Sequence, residues 1–160
     1  MRIIGTRKPA RIGEASYDHG ASHYCGPTSL SAITGLGTGT ITKIVRRLRR
    51  KSVLGVNRAG KAAAVKGMYN AEMLHVLKLL KYRAEQTYAA RTGFGDPRVT
   101  FAKWADYHAD GTSVYLVNIT GHYLTYHAGR VVCTSKNGRL HPLSENRHLR
   151  KRVKRVWRVS

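Results

Sequence analysis

The chain has 160 residues, 42% of them hydrophobic, and no apolar run near the roughly 18 residues of a membrane helix, so one domain over residues 1–160 with a substantial core is expected. Two cysteines are too few for a secreted disulfide scaffold, and the opening MRIIGTRKPARIGEASYD has charge but no apolar region, so no signal peptide is expected and a reducing compartment is the simpler setting. Lys and Arg number 29 against 8 Asp and Glu, a net charge of +21, which is extreme for an ordinary cytosolic enzyme and favours a polyanionic partner: nucleic acid, an anionic membrane surface or an acidic protein.

Residues 1–24 read as extended or looped, punctuated by Gly5, Pro9, Gly13 and Gly20. Pro27 suits the first turn of a helix, so a helix is expected from about Pro27 to Thr34, ended by the turn GLGTGT. Thr40 is placed to cap a second helix. Its buried stripe is Ile41, Ile44, Val45 and Leu48, and its outer face is Lys43, Arg46, Arg47, Arg49 and Arg50. GVNRAGKAAAVKGMYN reads as a loop with a short helical piece. Asn70 is placed to cap a third helix, AEMLHVLKLLK, with Met73, Leu74, Leu77 and Leu80 inward.

YRAEQTY reads as a strand, GFGDPR as a loop, and Thr100 as the cap of a fourth helix, FAKWADYHA. The pattern then becomes β-rich. SVYLVNIT, HYLTYHA and RVVCTS are strands, with Ala128-Gly129 as a hairpin turn. RVKRVWRV is a last strand whose charges suit a sheet edge. Helices first and an antiparallel sheet second give an α+β domain.

Cys25 precedes Gly-Pro-Thr at the expected start of the first helix. Free N–H groups and the helix dipole favour an anion there, which lowers a thiol pKa and makes a nucleophile. A buried Cys packed as a small hydrophobe is the other reading. A thiolate nucleophile needs a base, usually His. His122 stands after Gly121 at the expected start of a strand, where it serves either as that base or as an ordinary sheet histidine.

The stretch YCGPTSLSAITG and the downstream GHYLTYHAGRVV resemble papain-like cysteine peptidases, in particular the small bacteriocin-processing-type peptidases and related papain-like proteins of tailed phages. The ending RKRVKRVWRV resembles those phage proteins too. The match spans residues 17 to 35 and 112 to 158, and the middle only in helical character. The resemblance implies a papain-like fold, with N-terminal helices packed on a C-terminal antiparallel sheet. It implies that Cys25 attacks an acyl carbon as thiolate, that His122 moves the proton, and that the Cys25 N–H is one oxyanion donor.

Two positions depart from the family pattern. The Gln that usually precedes the Cys as oxyanion donor is absent, and His19 sits near its place. The Asp or Asn that orients the His is replaced by Cys133 at the corresponding place. Asn137 lies just beyond, either reaching back to His122 or forming a turn with Gly138.

His19, His23, Cys25, His122 and Cys133 are metal-ligand types, but no paired spacing typical of zinc sites appears, so neither a metal nor a cofactor is expected. Aromatic residues are not interleaved with the basic runs, which argues against a stacking platform for single strands. The basic runs themselves, Arg46, Arg47, Arg49 and Arg50 in one and Arg150, Lys151, Arg152, Lys154 and Arg155 in the other, are candidate nucleic-acid contacts without sequence readout.

Two functions follow. One is a phage-type thiol hydrolase acting on a peptide or isopeptide bond through Cys25 and His122. The other is a catalytically inactive papain-fold protein that binds nucleic acid or an acidic partner, such as a virion component. Either places the protein in a host cytoplasm or a virion.

Overall fold

The structure is a computed structural model that describes residues 11–51, 65, 67–90 and 98–160. Most of GVNRAGKAAAVKGMYN and of GFGDPR lies outside the described residues. The order of elements is α1 (Cys25–Thr34), α2 (Thr38–Arg50), α3 (Asn70–Leu79), β1 (Ala84–Ala89), α4 (Phe101–Tyr107), β2 (Val114–Ile119), β3 (His122–His127), β4 (Arg130–Val132), β5 (Leu140–Pro142) and β6 (Val153–Val159). The α+β class expected from the sequence is what is observed.

Helix α1 is short and buried from Gly26 to Ile33, with small residues that let it lie close to its neighbours. Gly26 is one of these, since a Cβ there would strike the Met68 side chain. Gly35 takes a left-handed φ of 74° and returns its N–H to Ser31 O, which ends the helix.

Helix α2 begins at Thr38, two residues before the expected cap Thr40. Its capping oxygens come from Asp18, which accepts from Gly39 N–H at 2.6 Å and from the Thr40 hydroxyl at 3.0 Å. The Gly39 N–H holds the Asp18 carboxyl below its ordinary pKa. A local cap was expected because sequence reading sees only neighbours. Here Ser16 O accepts from Thr38 N–H and carries Asp18 to the helix end.

The sheet is antiparallel throughout, in the order β1-β6-β2-β3-β4-β5. Strand β6, expected at an edge because of its charges, is interior, between β1 and β2. Its charges are accommodated by a bulge: Asn118 opposes Arg155 and Ile119 opposes Val153, leaving Lys154 extra. The irregularity turns both Lys154 and Arg155 outward while Val153 and Val156 stay buried. Ala128 and Gly129, at φ 47° and 78°, form the hairpin turn between β3 and β4 as expected.

Alternation along the strands divides the core into two clusters. Val114, Leu116, Tyr123, Trp157 and Val159 pack with Leu30, Val45 and Leu77 of α1–α3. Tyr115, Val117, Leu124, Tyr126 and Cys133 pack with Phe101 and Trp104 of α4. Helices therefore flank the sheet on both sides, α1–α3 on one face and α4 on the other. Thr100 caps α4 as expected, accepting from Lys103 N–H at 3.4 Å.

Helix α3 is fixed by a buried ion pair. Glu72 is 1% exposed and meets Arg49 Nε at 2.7 Å. It also accepts from Tyr69 N–H, the residue before the helix, at 3.0 Å. Asn70, expected as the cap, lies inside the first turn. Its Oδ1 accepts from Asn118 Nδ2 at 2.7 Å and Tyr123 Oη at 2.5 Å, tying α3 to β2 and β3.

Candidate functional site

Cys25 is the first residue of α1, half-buried, as expected. Burial pushes its thiol pKa up. The N–H groups of Tyr123, Gly26 and Cys25 itself pull the other way, and the nearby Cys133 thiol raises it. The thiol thus has the three N–H groups that a helix start and a neighbouring strand supply, but they do not outweigh desolvation.

His122 opens β3 after Gly121, whose φ of 72° makes the turn from β2. Tyr123 and Thr125 face α1, where the Thr125 hydroxyl donates to Ser29 O. Strand alternation therefore sends His122, with Leu124 and Tyr126, to the opposite side. The strand that carries His122 packs on α1, and its Tyr123 N–H lowers the Cys25 thiol pKa, while the imidazole turns to His148, with ring centroids 4.4 Å apart. Its Nε2 is buried and has no hydrogen-bond partner. Burial first, then His148 and Arg147, push the His122 pKa down to about 4. Burial therefore favours the neutral imidazole.

Cys133 does lie beside His122, as the family pattern implied. One ligand atom each of His122, Cys133 and His148 all fall within 4.8 Å of one another. Cys133 is fully buried, and its sulfur contacts Ser135 Oγ at 2.7 Å and accepts from Asn146 Nδ2 at 3.4 Å. Asn137 takes the other of its two open roles. It is exposed, left-handed at φ 50°, and forms the turn with Gly138. Gly138 packs so close to Ala15 and Tyr17 that a Cβ would clash. His19 is exposed in a turn with Gly20, its carbonyl against Gly39 of α2, so it stands at the start of α2 and not of α1.

Sequence reading missed His148, Asn146 and His141. Asn146 is 3% exposed, and its side-chain oxygen accepts from His148 N–H at 2.8 Å. His141 Nδ1 faces Arg139 O at 2.9 Å and must carry the proton, so its Nε2 accepts from Asn146 Nδ2 at 3.0 Å. His148 lies within the basic ENRHLRKR stretch, where its only signal was a histidine among arginines.

The basic residues divide. Lys43, Arg46, Arg47 and Arg50 line a shallow open hollow on the outer face of α2. Arg49, grouped with them on sequence, points inward, bonded to Glu72 and, at 2.5 Å, to Gly67 O. It belongs to the core packing of α2 on α3. Arg147, Arg150, Lys151, Arg152, Lys154 and Arg155 are all exposed. Among the described residues, Glu85 pairs with Arg158, Glu145 lies 4.0 Å from Lys136, and Glu72 takes Arg49. None of these acids serves Lys43, Arg47, Arg50 or the cations of 147–155.

No family model, no curated protein and no solved structure matches the chain.

Proposed function

We propose that the protein binds nucleic acid duplex through its phosphate backbone, with little sequence preference. The observation that carries this reading is the set of exposed cations in 147–155, left without acidic partners among the described residues, with Lys154 and Arg155 turned outward together by the bulge. Such cations replace counterions condensed on the duplex, and counterion release supplies most of non-specific affinity. Nothing in the basic surface matches a groove-reading motif, so contacts fall on phosphates. The test is charge reversal. Arg150→Glu, Lys151→Glu and Lys154→Glu should each weaken binding to unrelated duplexes by a similar factor, with unchanged circular dichroism. Folded variants that bind as the parent does would overturn the proposal.

A second reading, thiol hydrolysis by a papain-like fold, is favoured by one observation: Cys25 opens α1, and the Tyr123, Gly26 and Cys25 N–H groups lower its thiol pKa against the effect of burial. These would hold a thiolate, and the strand start bearing His122 lies against it. This reading requires the His122 ring to reach Cys25 in place of His148. It predicts rapid alkylation of Cys25 by iodoacetamide near pH 7, slowed by His122→Ala. The leading reading predicts slow labelling at neutral pH, because burial raises the thiol pKa, and the same rate in His122→Ala.

A further inference from the structure

We propose that His122, Cys133 and His148 form a binding site for a borderline-soft divalent cation of the zinc class. The inference does not rest on either reading above, though it competes with the second for His122, and it goes against the expectation from sequence spacing that no metal site is present. Their ligand atoms are gathered within 4.8 Å from β3, the end of β4 and the stretch before β6, three parts of the chain brought together only by the fold. That separation is slightly wider than a tetrahedral ion needs, and small side-chain rotations close it.

Two further observations point to a ligand. His122 Nε2 and His148 Nε2 are both buried without a hydrogen-bond partner, although His148 is only 8% exposed. Leaving buried polar atoms unpaired is costly, and each of these two imidazoles, gathered beside a thiol, has a ring nitrogen that a bound ion could satisfy. The surroundings are also built as an outer shell. Asn146 donates to the Cys133 sulfur, holds the His148 backbone through its oxygen, and is itself fixed by His141. Ser135 Oγ lies at 2.7 Å from the same sulfur. Donors on a sulfur and anchors on a ligating residue are what orient metal ligands and tune them.

The donor set selects the ion. Two imidazoles and a thiolate suit zinc, cobalt or copper and not calcium or magnesium, which take oxygen ligands. Arg147 and Lys151 act electrostatically on His148, so the site does not attract cations by charge; only an ion that bonds strongly to nitrogen and sulfur overcomes that repulsion. Binding releases the Cys133 thiol proton to solvent, and the thiolate sulfur then bonds the ion. Three protein ligands leave a fourth position for water. The bound ion would also occupy His122 and keep it from serving Cys25 as a base.

The test uses the whole chain, stripped with chelator and desalted, then titrated with Co2+ alone. One equivalent should produce the near-ultraviolet sulfur-to-cobalt charge-transfer band with visible bands of tetrahedral intensity, and Zn2+ should displace it. Cys133→Ser should abolish the charge-transfer band, and His148→Gln should weaken binding at least tenfold. Asn146→Ala, which removes outer hydrogen bonds and no ligand, should weaken it about 10–100-fold. Zn2+ should raise the Tm of the parent and not that of His148→Gln, a comparison that stands even if Cys133→Ser folds poorly. A folded parent with no charge-transfer band at micromolar Co2+, or His148→Gln and His122→Gln variants that bind as the parent does, would overturn the proposal.

Discussion

Arg49→Ala is expected to destabilise the protein by roughly 3–5 kcal/mol, whereas Arg47→Ala and Arg50→Ala on the same helix should each stay within about 0.5 kcal/mol of the parent. The difference follows from where the side chains end. Arg49 meets both carboxylate oxygens of Glu72, at 2.7 and 3.1 Å, and its removal takes both charge-assisted hydrogen bonds from a carboxylate that is 1% exposed. An isolated buried charge is far more costly than a buried pair is favourable, so truncating one partner is severe and replacing both is mild. Glu72→Ala should therefore be as damaging, with an added loss at Tyr69 N–H. The double variant Arg49→Met with Glu72→Leu should recover most of the loss. Urea unfolding at pH 7 measures all of these. An unchanged midpoint in Arg49→Ala, accompanied by weaker polyanion binding, would contradict the inward placement and return Arg49 to the outer basic face.

The same contrast shows what the sequence could convey. Helical periodicity places Ile41, Val45 and Leu48 inward correctly, because it depends only on residues a turn apart. It put Arg49 with its neighbours because an arginine beside arginines has no local mark of an inward course; the mark is Glu72, 23 positions on. Strand β6 was legible as a strand but not as an interior one. Charges normally indicate an edge, and the bulge that lets an interior strand expose Lys154 and Arg155 depends on its partner β2. Asp18 capping α2 from outside the helix is a further instance.

At the site, Cys25 at a helix start and His122 at a strand start were both readable from local chemistry: Pro27 for the helix, Gly121 for the turn. Which way each side chain points was not. Alternation in β3 is set by Tyr123 and Thr125 packing on α1, and that turns His122 to the other layer. Cys133 beside His122 was foreseen from the family pattern. Its other neighbours, His148 and Asn146, lie in a strongly basic stretch that carries no local mark of a buried polar cluster.

The measurement that bears most directly on the central proposal is the salt dependence of duplex affinity. If Arg147, Arg150, Lys151, Arg152, Lys154 and Arg155 each displace one condensed counterion, log K against log salt should fall with a slope of about −5. Affinity should then drop by about a thousandfold between 50 and 200 mM salt, by the same factor for duplexes of unrelated sequence. Arg150→Glu with Lys154→Glu should flatten the slope by about 2, because two phosphate contacts are gone. A slope near zero, or one that is steep in the parent and unchanged in that double variant, would contradict the account.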